Sequence, residues 1–227
     1  MDPDPEGAPV EDSAPEVRRR EPRWPASIAI LASIGLYVVL PQRLILGPRW
    51  LMPLLELGLL IPLTISSPFR DDTETKVLRY LAISVIGLLN LANAASVWFL
   101  VHDLLAGGKT SGPQLVYSAI AIWLTNVIVF GLWFWELDRG GPAARAVGEK
   151  RWPDFLFPQM LQEGLAGPSW MPGFIDYIYV AFTNATAFSP TDTMPLTGAS
   201  KALMTAQALI SVITVVMVAG RAVNILP

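Results

Sequence analysis

A chain of 227 residues that is 52% apolar and only 15% charged, with a positive mean hydropathy, carries too much apolar surface for a water-soluble domain of this size. The absence of cysteine excludes a disulfide framework and thiolate metal sites, and a single histidine, His102, with no carboxylate cluster around it leaves no metal-ligand set and no sign of a cofactor. The formal net charge of -3 resides in loops and tail and offers neither the basic face that nucleic acid requires nor a trap for acidic substrates.

Residues 1–25 are rich in Pro, Asp and Glu, end in Arg18, Arg19, Arg20 and Arg23, and hold too few apolar groups to offset ordering entropy. This stretch reads as a disordered tail. The pair Arg18-Arg19 is followed by Arg20-Glu21-Pro22, which does not continue a twin-arginine signal, so the tail is expected to stay attached and lead into a membrane anchor.

Five apolar segments follow, each compared with the roughly twenty residues needed to cross a hydrocarbon core of about 30 Å. They are 26–46, interrupted by Pro41; 50–66, which is short; 77–101; 114–135; and 202–226. Trp24, Trp50, Trp98, Trp133 and Trp135 sit at their ends, where an amphipathic ring favours the headgroup region. The expected class is an all-α, multi-pass protein of the cytoplasmic membrane with about five spans. The chain divides into a tail (1–25), an N-terminal helical part (26–111) and a C-terminal part (112–227). No internal repeat suggests a duplicated transporter.

Within the second segment, Glu56 lies between Pro53 and Pro62. A carboxylate in the membrane is costly, so it reads either as a proton or cation site or as a group that reaches water from an interfacial helix. Asn90 and Asn93 on one face of the third segment, and Asn126 in the fourth, read first as interhelical hydrogen-bonding residues. His102 beside Asp103 reads as solvated, and Asp71, Asp72 and Glu74 as a connecting loop. No glycine-rich phosphate cradle and no nucleophile paired with a base is present, so no enzymatic activity is expected. The aromatic stretch 136–173 is expected on the membrane surface.

Residues 174–188 form an aromatic, amphipathic run too short to span, followed by a loop that contains Pro190 and Pro195 and then by the last long apolar segment. Short helix, polar loop and long helix is the order of a re-entrant pore-like element, which survives at membrane depth only inside protein or beside water. On these residues the C-terminal part resembles the pore-loop domain of the potassium-channel superfamily, with 114–135 as the outer helix. Thr186-Ala187-Phe188-Ser189-Pro190-Thr191-Asp192 aligns without gaps on the filter pattern Thr-Val-Gly-Tyr-Gly-Asp and its preceding Thr, and Pro195 and Thr197 fall on the Pro and Thr that follow it. Asp176, Tyr177, Tyr179, Phe182 and Thr183 resemble a pore helix.

The resemblance implies a homotetramer in the lipid bilayer, with monovalent cations as the permeant class. The filter itself is rewritten. Its glycines, which let successive carbonyls face an ion, are replaced by Ser189 and Thr191, and its tyrosine by Pro190. The expectation is a weakly selective cation channel with Ser189, Thr191 and Asp192 at the loop, or a non-conducting scaffold or accessory subunit that keeps the fold; a proton-coupled transporter using Glu56 is a third reading. Gln207, Ser211 and Thr214 share one face of the final segment, which either borders water or bonds to neighbouring helices.

Charge and resemblance disagree about orientation. Lys and Arg number four in the tail, two in the first loop, three in the second, one in the third and four in the fourth. The positive-inside rule therefore sets tail, second loop and fourth loop in the cytoplasm, whereas a potassium channel presents the linker before its pore helix to the outside.

Overall fold

In the computed structural model the described residues are 21–65, 75–107, 111–147, 152–161, 164–167, 170–186 and 193–223. Among the described residues there are seven α-helices: α1 (Trp24–Val39), α2 (Leu51–Ile65), α3 (Thr75–Leu105), α4 (Gly112–Leu137), α5 (Pro142–Val147), α6 (Phe174–Thr186) and α7 (Gly198–Val223). Three helical stretches, Val77–Leu105, Gly112–Gly140 and Gly198–Arg221, are long and apolar enough to cross a membrane, which is the build of a helical membrane protein. Helices α1 and α2, of 16 and 15 residues, are apolar but shorter. The expected first span stops early because Leu40, preceding Pro41, adopts an extended conformation (ψ 145°) that a following proline favours.

The centre of the bundle is α4. From Leu115 to Trp135 it buries residues on all sides, and α1, α3, α6 and α7 all pack on it. Close approach to α6 depends on Gly131, where a Cβ would lie 2.5 Å from the Ile178 side chain and 3.3 Å from the Ile178 backbone. By contrast α7 keeps an apolar face outward, with Leu209, Val212, Ile213, Val215 and Val216 exposed.

Contacts between distant segments define two ends of the bundle. At one end Glu21 meets Trp135 and Arg145, and Arg79 lies 3.9 Å from Glu136. At the other, Arg43 lies 3.7 Å from Asp103 and bonds Gln114. The start of α1, the start of α3 and the end of α4 therefore share the first end, as do Arg145, Asp154 and Phe155 of the linker through their contacts with Asp138.

That linker does more than lie on a surface. Glu136 and Leu137 belong to α4, Phe155 and Phe157 are buried in the main apolar cluster, and Phe155 stacks against Phe134 at 5.0 Å. A two-residue antiparallel ladder joins β1 (Phe155–Leu156) to β2 (Met194–Pro195), pairing Phe155 with Pro195 and Leu156 with Met194. The alternation of aromatic and polar residues around Pro153 and Pro158 has no helical period, which is why an inserted role was not visible in the sequence.

Candidate functional site

The C-terminal half is organised by α6. Its 13 residues extend about 20 Å at the helical rise, too short to cross a bilayer. It starts at the first end, where Tyr177 reaches Asp138, and runs inward beside α7. Asn184 Nδ2 donates to Met204 O at 2.8 Å and to Gln207 Oε1 at 2.7 Å, while Gln207 Nε2 donates to Ala181 O at 2.8 Å. Since Gln207 lies nine residues into α7, the inner end of α6 is about 14 Å below the start of that helix. By β2 the chain is back beside the linker, and Leu196 N donates to Asp154 O. Entry and return are thus on the same end.

Of the filter-like residues, Ser189, Pro190, Thr191 and Asp192 lie outside the described residues. Thr186 closes α6, its hydroxyl donating to Thr183 O at 2.9 Å. Pro195 is paired in the ladder. Thr197 caps α7: its hydroxyl accepts from Ser200 N at 3.3 Å while its own N–H donates to Ser200 Oγ at 3.2 Å, the reciprocal arrangement that satisfies a helix N-terminus, and the hydroxyl donates to Asp154 Oδ1 at 2.7 Å.

The polar face of α7 is turned inward. Gln207, Ser211 and Thr214 are all buried. Asn126 of α4 donates through Nδ2 to Gln207 O at 3.2 Å and Ser211 Oγ at 2.9 Å, and the Thr214 hydroxyl bonds Ile210 O within its own helix. Three helices are therefore tied together at one depth by Asn126, Asn184, Gln207 and Ser211.

A second polar cluster holds the first end together, and sequence spacing gave no hint of it. The Asp138 carboxylate is fully buried. It accepts the Tyr177 hydroxyl at 2.6 Å and the backbone N–H groups of Asp154 at 2.7 Å and Phe155 at 3.3 Å, with Arg139 Nε 3.8 Å away. Burial raises the Tyr177 phenol well above its ordinary range, partly opposed by the nearby Arg145 guanidinium, so the ring keeps its proton and remains a donor.

Arg145, 3% exposed, donates to Trp135 O and Asp138 O at 2.8 Å each, pairs with both Glu21 carboxylate oxygens at 2.9 and 3.2 Å, and lies 5.3 Å over the Tyr177 ring. A buried guanidinium with this many acceptors is a structural anchor. Arg139 takes a left-handed conformation, φ 52° and ψ 26°, which is held by its N–H donating to Asp154 Oδ2 at 3.0 Å.

Glu56, on α2, has no exposure to solvent, and neither of its carboxylate oxygens has a hydrogen-bond partner among the described residues. This differs from the interfacial reading, in which it would reach water. His102 and Asp103 remain at the far end of α3, where Asp103 pairs with Arg43. No group of three or more His, Asp or Glu side chains suited to a metal ion is found among the described residues.

Comparison with known proteins returns no matching family model, no matching curated protein and no matching solved structure. Functional argument therefore rests on the geometry of this chain.

Proposed function

We propose that the chain is a subunit of a homo-oligomeric, channel-like protein of the cytoplasmic membrane that passes monovalent cations with weak selectivity. The observation that carries this reading is the half-depth termination of α6. The carboxyl end of a helix bears a partial negative charge from carbonyls without intrahelical partners. Directed toward the interior of a membrane bundle, that end favours a cation, as half-helices do in transport proteins. The loop that follows carries Asp192, which in a ring of subunits would add to the same preference.

The orientation of the proposed pathway follows from charge. Glu21, Arg79 at the start of α3, and Arg145 and Asp154 of the linker share the first end, and the segments to which they belong are the basic ones of the chain. By the positive-inside rule that end faces the cytoplasm, so the re-entrant loop opens to the cytoplasm, opposite to a potassium channel.

One observation favours a second reading, a non-conducting scaffold or accessory subunit. Of the polar residues of α7 that would border water in a pore, Gln207 and Ser211 are engaged with α4 and α6, and Thr214 bonds within its own helix.

Cation flux from proteoliposomes containing the purified protein, with the oligomeric state fixed by crosslinking, separates the two. Conduction predicts a flux of potassium or sodium whose cation preference falls in Asp192→Asn with assembly intact. An assembled oligomer without flux supports the scaffold. Orientation is tested separately by single cysteines at Thr193 or Leu196 on this cysteine-free chain: protection from an impermeant thiol reagent in intact cells, with labelling after permeabilisation, is the expected outcome.

A further inference from the structure

On its open side α7 carries a groove of about 420 Å³ that starts beside Pro195 and Lys201 and continues past Thr205 and Ala208 to Leu209 and Val212. Lys201, Thr205, Ala208 and Val212 recur at spacings of four, three and four, so they form one stripe along the helix. The upper end of the stripe is fixed at the first end of the bundle, because Lys201 N donates to Thr197 O at 3.1 Å and the Thr197 hydroxyl donates to Asp154. Val212 is eleven residues further on, about 16 Å at the helical rise. A hydrocarbon core is about 30 Å thick, so the groove has the length of one leaflet.

Polarity changes along it in the same direction. Lys201 is exposed and is the one charged side chain in the lining among the described residues. The neutral donors beside it are already used: the Thr205 hydroxyl donates to Lys201 O at 2.8 Å, and Asn184 Nδ2 donates to Met204 O and Gln207 Oε1. The Lys201 ammonium is therefore the donor left for a ligand, and below Thr205 the lining is aliphatic. The carboxylates described at this end, Glu21, Glu136, Asp138, Asp154 and Asp176, are each engaged within the chain. A second copy docking on the groove has none of these to offer Lys201. A cation at the edge of a leaflet, above an aliphatic channel as long as that leaflet, is complementary to a phosphate above an acyl chain.

We propose that this groove holds an anionic phospholipid, with its phosphate on the Lys201 ammonium and one acyl chain against Ala208 and Val212. An ammonium acts as a point charge and lacks the planar fork of a guanidinium, so the site separates anionic from zwitterionic lipid and does not select one anionic headgroup from another. It requires neither conduction nor a particular orientation of the chain in the membrane.

The test uses the full-length protein in nanodiscs of equal parts phosphatidylglycerol and phosphatidylcholine, with the lipid that stays on the released protein counted by native mass spectrometry. Phosphatidylglycerol is expected to be retained about fivefold over phosphatidylcholine, the preference one lysine at a membrane surface confers. Lys201→Gln should bring the two lipids close to parity, Lys201→Arg should keep the preference, and Ala208→Phe, which fills the groove from its open side, should lower the retention of both. A preference unchanged in Lys201→Gln overturns the proposal, as does retention unchanged in Ala208→Phe. Displacement of the lipid by excess glycerol phosphate, a headgroup without chains, overturns it in favour of a free-phosphate site. Disulfide formation between copies carrying Val212→Cys overturns it in favour of a subunit contact.

Discussion

Two of the buried polar regions of this bundle are built on opposite principles. At the first end, Asp138, Arg145, Asp154, Tyr177 and Thr197 are joined by charge-assisted hydrogen bonds of 2.6–3.0 Å. On α2, Glu56 is fully buried and neither of its carboxylate oxygens has a hydrogen-bond partner among the described residues. A satisfied network of buried charges fixes a geometry, and removing one member strands the others. An unsatisfied group destabilises the fold it belongs to. The first region is therefore architectural, whereas the unmatched Glu56 carboxyl group weakens the fold that buries it.

The largest effect expected from breaking this contrast is at Asp138. Asp138→Ala removes the acceptor of Tyr177 and of two backbone N–H groups and leaves Arg139 without its nearby carboxylate, at a cost of about 3–5 kcal/mol. Thermal unfolding in detergent should show the loss, and a variant that melts with the parent protein would remove the network from the stability of the fold. Gln207→Leu comes next. It removes one of the two acceptors of Asn184 Nδ2 and the side-chain donor to the Ala181 carbonyl and should cost about 1–2 kcal/mol, with α6 becoming open to protease cleavage before α7.

Glu56→Met should have the opposite sign. Replacing an unmatched carboxyl group with an apolar side chain of similar length should raise stability by about 1–2 kcal/mol, read as a higher melting temperature. If it destabilises instead, Glu56 has a partner in the folded protein and the contrast collapses. The smallest effect is at the other end, where Arg43 and Asp103 form a partly exposed pair at 3.7 Å. Arg43→Met should change stability by less than about 1 kcal/mol, and salt titration should leave the parent and the variant nearly indistinguishable.

Much of the bundle was legible because long apolar runs need no partner to identify themselves. The runs 77–101, 114–135 and 202–226 correspond to α3, α4 and α7, and the short aromatic run 174–188 to α6. The count of five spans is not established by helix length: three stretches are long enough, and α1 and α2 are shorter. Glu56 was conspicuous as a lone carboxylate among apolar residues. Its burial was not: a lone carboxylate in a short apolar run suits an interfacial helix as well as a buried one.

The network at the first end was illegible for a related reason. Glu21 and Arg145 are separated by 124 positions, and Asp154 and Thr197 by 43. No periodicity links such residues. Arg139 and Arg145 read as loop charges relevant to orientation, which is a property of composition, while their roles as anchors depend on a fold that brings α4, the linker and α6 to one place. The direction of the Gln207, Ser211 and Thr214 face was likewise undecided by its spacing, because a water-lined face and a bonded face share the same period.

The bonds of Asn184 impose a timetable on biosynthesis. Its amide is satisfied by Met204 and Gln207, 20 and 23 positions later in the chain, so when α6 leaves the ribosome its partners have not yet been made. A 13-residue helix with an unmet amide cannot settle in lipid by itself. It must wait at the membrane surface until α7 arrives. Truncation ahead of α7 would therefore yield a nascent chain with α3 and α4 inserted and α6 still outside the bilayer, the form most open to capture by quality-control proteases.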